Sequence, residues 1–126
     1  MYWNLIAIFV GGGIGALLRY GVSLLSTRCL GCGVPGTFAV NMLGCLALGA
    51  LYGAAQGRLL PGLGVELRLF LGVGLLGALT TFSTLQWELL ELLRAERWGW
   101  ALGYMALSMV CGILCTCAGY YLTHAR

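Results

Sequence analysis

The chain has 126 residues, of which 60% are hydrophobic and 9% charged, with a mean hydropathy of +0.93 and a net charge of +3. Soluble domains carry roughly a quarter charged residues, so a chain this poor in charge has no polar coat to present to water, and lipid is its expected solvent. The composition also excludes most enzyme chemistry, since there is no Asp, no Lys, one His and four Glu. The seven Arg are scattered, without the basic run of a nucleic-acid binder, so no nucleic-acid partner is expected.

Charge-free stretches cover residues 1–18, 30–57, 69–87 and 98–123. Each is close to or above the roughly 20 residues a membrane helix needs. They predict a single all-α transmembrane domain over residues 1–126, with four helices at about 5–25, 38–52, 67–93 and 98–122. The opening MYWNLIAIFV has no Lys or Arg ahead of its apolar run, so it reads as a retained first helix rather than a cleaved signal. Near the end of that helix, Arg19 has two readings: a stem that snorkels to the headgroups, or a vestibule charge that attracts anions.

The turn that follows is rich in Gly31, Gly33, Pro35 and Gly36, and holds Cys29 and Cys32 as a CxxC pair. Without a second pair or a nearby His, that motif carries a weak zinc or redox signal. The other cysteines, Cys45, Cys111, Cys115 and Cys117, lie in apolar spans where Cys packs as a small hydrophobe. In the second span Asn41 sits among apolar neighbours, able to donate two hydrogen bonds to an anion or to accept one from a helix. Gly57, Pro61, Gly62 and Gly64 mark the next turn.

The third span carries Gly72, Gly74 and Gly77 and then LTTFST, a run poor at sustaining a helix, which predicts a break between Gly77 and Ser83. Carbonyls bared by a break suit a cation, and simple flexibility is the alternative. Polar residues continue through Thr80, Thr81, Ser83 and Thr84 to Glu88, which reads as a wet-mouth residue, a proton acceptor or a helix-end charge. After the charged turn 94–97, the last span repeats Tyr104, Ser108, Gly112, Thr116 and Tyr120 every four residues along one face. This is either a hydroxyl stripe for an ion or glue between helices.

Four helices of this size leave no lumen, so a pore needs at least two subunits. Glycine pairs at 11 and 15, 49 and 53, and 99 and 103 suggest close helix contacts. Orientation follows the Lys and Arg of short loops, and here Arg58, Arg68 and Arg126 on one face oppose Arg28, Arg94 and Arg97 on the other. Three against three favours insertion either way up, and hence an antiparallel dual-topology homodimer. A fixed orientation set by the first helix is the competing reading.

GGGIGALLRY at 11–20, GTFAVNMLG at 36–44 and GLLGALTTFST at 74–84 together resemble the small prokaryotic fluoride channels of the Fluc or CrcB family. The resemblance runs over nearly the whole chain. It implies a passive channel in the prokaryotic inner membrane that exports fluoride and confers fluoride resistance, built as an antiparallel homodimer with two pores and a structural Na+ at its interface. Position by position, it implies that Asn41 and Phe82 face fluoride, and that backbone carbonyls of Gly77 and Thr80 hold the sodium. It further implies that Tyr104, Ser108 and Thr116 form a polar track, that Glu88 lies near one pore end, and that Arg19 is the first-helix arginine. Ser83 and Thr84 are expected to add hydroxyl donors to the path. Two positions depart from the family pattern: Leu85 replaces a second phenylalanine, and Gly112 replaces a hydroxyl.

Two rival functions remain open on sequence alone. A proton-coupled drug antiporter of four helices needs an acid in its first helix, where this chain has Arg19. A non-transporting assembly subunit would use the glycine contacts and leave the hydroxyl stripe as glue.

Overall fold

The computed structural model describes residues 1–57 and 59–124, and the described residues are helical without a strand. Arg58 and Arg126, two of the arginines counted for orientation, lie outside the described residues. Helix α1 spans Tyr2–Leu30, α2 spans Val34–Gln56, α3 covers 65–79, α4 spans Phe82–Arg94 and α5 spans Trp98–His124. With α3 and α4 read as one bent crossing, four helices are long and apolar enough to cross a membrane, as the sequence predicts. The first three run beyond both predicted ends, and the last starts at 98 as predicted and runs two residues further. Residues such as Trp3, Arg28, Gln56 and His124 tolerate water, yet remain helical because the backbone satisfies itself best that way near lipid.

The glycine spacings explain how the helices meet. Buried positions on α1 are Gly11, Gly15 and Ser26, and those on α5 are Ala101, Ser108, Gly112 and Gly119. Small residues sit where helices touch and large apolar ones such as Phe9, Leu17, Ile113 and Leu114 point outward. This inverts the pattern of a water-soluble bundle, because lipid tails solvate leucine as well as a protein core does. A Cβ built on Gly15 would run into the Leu75 carbonyl of α3, and one on Gly49 into the Thr116 carbonyl of α5. The chain thus forms two close pairs, α1 on α3 and α2 on α5. Gly99 and Gly103 have open space where their side chains would be, so that third spacing builds no contact among the described residues.

The third crossing departs from a regular helix twice. Leu69–Leu76 winds as a π-helix, a wider turn in which Gly74 lies against the backbone of α1 and Gly72 against side chains of α2. Then the helix stops at Leu79. Thr80 is extended at φ −77° and ψ 150°, Thr81 at φ −147° and ψ 111°, and α4 starts at Phe82. The predicted break therefore falls at two β-branched threonines, where χ1 crowding and side-chain hydrogen bonding both disfavour helix.

Close backbone contact at Gly49 makes a direct prediction. Gly49→Val should lower the thermal melting temperature of the detergent-purified protein, with an overpacking cost of about 1–3 kcal/mol. Gly103→Val should leave the protomer's packing unchanged. Equal melting of the Gly49 variant and the parent would contradict the α2–α5 packing described above.

Candidate functional site

An interrupted helix at membrane depth exposes backbone groups that lipid cannot satisfy, each costing several kcal/mol if left unpaired. Three side chains answer this at the break. Asn41, from the middle of α2, grips the Thr81 peptide at both ends: its Oδ1 accepts from the Thr81 N–H at 2.8 Å and its Nδ2 donates to the Thr81 carbonyl at 3.3 Å. Arg19 of α1 donates from Nε to the Ala78 carbonyl at 3.1 Å, placing a positive charge at the carbonyl end of α3, where the helix dipole favours it. Thr81 caps α4, with its Oγ1 accepting from the Thr84 N–H at 3.2 Å and donating to the Thr84 hydroxyl at 2.9 Å.

The sequence left Asn41 open between anion donor and helix acceptor, and the structure makes it a clamp. An amide NH₂ has two hydrogens and the Thr81 carbonyl takes one. The other is free to serve a ligand. Arg19 likewise holds the break with Nε, and its half-buried side chain turns inward rather than only snorkelling to the headgroups.

Beside the break lies a groove of about 490 Å³ between α2, the end of α3, α4 and α5. Asn41, Gly77, Thr80, Phe82, Leu85, Ser108 and Thr116 all line it, so most of the predicted site residues meet in one place. The Ser108 hydroxyl is buried and has no hydrogen-bond partner among the described residues, an uncommon condition for a buried polar atom. Thr116 has its hydroxyl donated back to the Gly112 carbonyl at 3.0 Å, the glue geometry the sequence allowed for. Phe82 is 65% exposed and presents its ring at the open side, whereas Leu85 is 3% exposed and packs with Leu89 and Ala101. Leu85 therefore contributes a wall rather than a second exposed ring.

The remaining predicted residues sit elsewhere. Ser83 and Thr84 do not line the groove, because both hydroxyls are turned toward the Thr81 cap. Glu88 and Tyr104 form a separate buried cluster with Thr37. The Thr37 hydroxyl donates to Glu88 Oε1 at 2.6 Å, and the Tyr104 hydroxyl donates to Oε2 at 2.8 Å. Glu88 is 7% exposed and its carboxylate lies against the first turn of α2, where the helix dipole favours negative charge. Tyr104 is thus engaged by Glu88, one end of the stripe that continues through Ser108 in the groove.

Sequence reasoning missed Thr37 and passed over Thr81 as a site residue. Thr37 stands four residues before Asn41, one turn along the same face of α2, and that spacing was the available signal. Thr81 was visible only as one hydroxyl in a polar run, and nothing local distinguishes the residue that α2 grips.

For a cation, the fit rests on the carbonyls the break leaves over. Leu76 accepts from the Thr80 N–H and hydroxyl, Ala78 from Arg19 and Thr81 from Asn41. The carbonyls of Gly77 and Thr80 accept none of the hydrogen bonds that cross the break, and both residues line the groove. Hard oxygen donors of this kind suit an alkali or alkaline-earth ion, and two are too few to coordinate one alone. Among the described residues no cluster of three or more His, Cys, Asp or Glu offers a transition-metal site.

Comparison with known proteins gives this geometry a context. The model of the family described as "CrcB-like protein, Camphor Resistance (CrcB)" matches residues 6–120. A protein of Chloroflexus aurantiacus named fluoride-specific ion channel FluC is 44% identical over 117 residues, covering 92% of this chain and 91% of the relative. A protein of the same name from Shewanella frigidimarina is 37% identical over 124 residues, covering 98% of each chain. Another, from Shewanella amazonensis, is 47% identical over 92 residues and 72% of each chain.

The clamp is open to direct measurement. Asn41→Leu removes both partners of the Thr81 peptide and leaves a buried N–H and C=O unpaired at a cost of about 1–3 kcal/mol each. Hydrogen exchange at the Thr81 amide should accelerate on the order of tenfold or more. Unchanged protection of that amide would mean the break is held by something other than Asn41.

Proposed function

The chain belongs to the CrcB family, and we propose that it is a passive, fluoride-selective channel of the prokaryotic inner membrane that lets fluoride leave the cytoplasm and so confers fluoride resistance. The observation that carries the reading is the groove itself. On a chain whose relatives are named fluoride-specific ion channels, it gathers a free amide hydrogen of Asn41, the unpartnered hydroxyl of Ser108 and the exposed ring of Phe82.

These groups match the chemistry of a small, tightly hydrated anion. Leaving water costs such an ion more than a few weak contacts return, so its path needs short, fixed donors. The Asn41 Nδ2–H and Ser108 O–H supply them, and the positive edge of the Phe82 ring supplies a weaker electrostatic contact without any proton to lose. Asn41 is held at Thr81 and its backbone is fixed in α2, so the donor is oriented before the ion arrives. Arg19 adds positive potential at the break. No acid lies in α1, and no nucleotide-binding loop occurs in the sequence, so the expected driving force is the membrane potential, worth about 2.3 kcal/mol per charge per 100 mV.

The groove is open on one side, with Phe82, Met109 and Ile113 exposed around it, and a second antiparallel copy closing it accounts for both the exposure and the balanced arginines. In that assembly the Gly77 and Thr80 carbonyls of both protomers would hold a structural sodium. When bound, the ion supplies positive charge in a low-dielectric interior, which favours an anion nearby. The channel carries fluoride and is no enzyme; Thr116 lines the path within the groove, and the Glu88–Tyr104 pair lies outside the groove, toward one end of the path.

Two measurements test this reading. Liposomes holding the protein should release fluoride without a pH gradient, with chloride far slower, and Asn41→Asp should abolish release while the dimer persists, because a carboxylate replaces the donor at the ion's position. Proton-coupled cation movement would instead support an antiporter, and near-normal release by the Asp variant would remove Asn41 from the path. Exchanging sodium for a bulky organic cation should lower the melting temperature or the flux, and indifference of both would remove the central cation.

A further inference from the structure

The α1–α2 turn carries two thiols, Cys29 and Cys32, that do not line the groove. Cys29 lies in the last turn of α1, which ends at Leu30. Gly31 then adopts the left-handed conformation at φ 77°, with its N–H donating to the Thr27 carbonyl at 3.0 Å. Cys32 follows directly and precedes Gly33, the residue that opens α2. Both Cys29 and Cys32 are exposed, whereas Cys45, Cys111 and Cys115 lie partly covered within the spans.

The turn is also connected to the buried carboxylate. Ser26 donates from Oγ to the Cys32 carbonyl at 2.8 Å, and the same Oγ accepts from the Gly36 N–H at 3.0 Å. A Cβ on Gly33, the neighbour of Cys32, would lie 3.7 Å from Glu88 Oε1. One turn further, Thr37 donates to that same oxygen. Moving Cys32 therefore moves the backbone that positions two groups beside Glu88.

A structural zinc needs four ligands, and the described residues bring no group of three or more His, Cys, Asp or Glu together. Redox chemistry needs only the pair. A disulfide joins residues whose Cα atoms lie roughly 4.4–6.8 Å apart, a range that a C-x-x-C spacing folded through a tight turn reaches with little movement.

We propose that Cys29 and Cys32 form a reversible dithiol–disulfide site, oxidised by a low-molecular-weight disulfide, whose closure displaces the start of α2 from Glu88. One thiol, as thiolate, attacks a sulfur of the external disulfide, breaking its S–S bond and releasing one thiol of that reagent. The second protein thiolate attacks the mixed disulfide and releases the other. The protein loses two hydrogens and gains one S–S bond, and the reagent is reduced to two thiols. Drawing Cys32 toward Cys29 strains the Ser26 contacts with Cys32 and Gly36 and weakens the Thr37 bond to Glu88. A carboxylate stripped of one donor presents more of its charge to an approaching anion, so the oxidised form conducts less. This last step rests on the fluoride-channel reading, and the ring and the shift of α2 do not.

The test uses the full chain purified in detergent and equilibrated with reduced and oxidised glutathione at several ratios. Thiols are then blocked with iodoacetamide and the protein is weighed, with hydrogen exchange followed at the Gly36 amide and fluoride release measured after reconstitution. Oxidation should remove two alkylation sites, accelerate Gly36 exchange and lower fluoride release on the order of tenfold, the loss of one charge-assisted hydrogen bond. A thiol reductant should restore all three, and Cys29→Ser and Cys32→Ser should be unresponsive while conducting as the reduced parent does. Thiols that stay free at every ratio, or a ring that forms with Gly36 exchange and flux unaltered, would overturn the proposal. A reduced protein that releases no fluoride would overturn the channel reading instead, while mass and Gly36 exchange still decide the redox site.

Discussion

A membrane helix that stops halfway must find partners for its loose backbone groups, and the arrangement of this protein follows from how that need is met. The break at Thr80 and Thr81 is tolerated because Asn41 takes both ends of the Thr81 peptide, Arg19 takes the Ala78 carbonyl and Thr81 caps the helix that resumes. Each of these interactions comes from a different element, so α1, α2 and α4 are all fixed relative to α3 at one level of the membrane. The close glycine contacts of α1 with α3 and of α2 with α5 bring those elements near enough for short polar side chains to reach. Packing and polar satisfaction are here one constraint: a bulkier residue at Gly15 or Gly49 would separate the helices that the break depends on.

The polar groups divide into those that hold the protein and those left over for a ligand. Ser83, Thr84 and Thr116 spend their hydroxyls on their own backbone or on the Thr81 cap, and Tyr104 and Thr37 spend theirs on Glu88. What remains is a short set: one hydrogen of Asn41, the hydroxyl of Ser108 and the carbonyls of Gly77 and Thr80. Donors and bare carbonyls lie along the same groove, which suits an anion and a cation held near one another in a low-dielectric interior better than either alone. Glu88 is kept apart from them by two hydrogen bonds and the start of α2, so the one buried carboxylate does not oppose an anion in the groove with its full charge.

Much of this was legible in the sequence. The four spans follow from long charge-free runs, and the break follows from glycines leading into a threonine-rich stretch, because both are local properties of the chain. What was not legible depends on contacts distant in sequence. Asn41 and Thr81 are separated by 40 positions, and no local pattern says that an amide grips a peptide rather than an ion. The burial of Leu85 likewise depends on Leu89 and Ala101 closing over it, although Phe82 three residues earlier is exposed. The wide turn at Leu69–Leu76 reflects how α1 presses on Gly74, which composition alone does not show. Gly99 and Gly103 share the spacing of the contacting pairs yet touch nothing among the described residues, since a glycine pair packs only when another helix crosses it.

Whether the groups left unpaired by the fold serve the ion turns on Ser108, whose hydroxyl has no hydrogen-bond partner among the described residues to lose. Fluoride release from liposomes is the measurement, comparing Ser108→Ala with Ser108→Thr. Ala should lower release roughly tenfold or more, the worth of a hydrogen bond to a charged group, without reducing thermal stability, and Thr should retain most of it. Release by the Ala variant equal to that of the parent would contradict the claim and return Ser108 to the packing between helices.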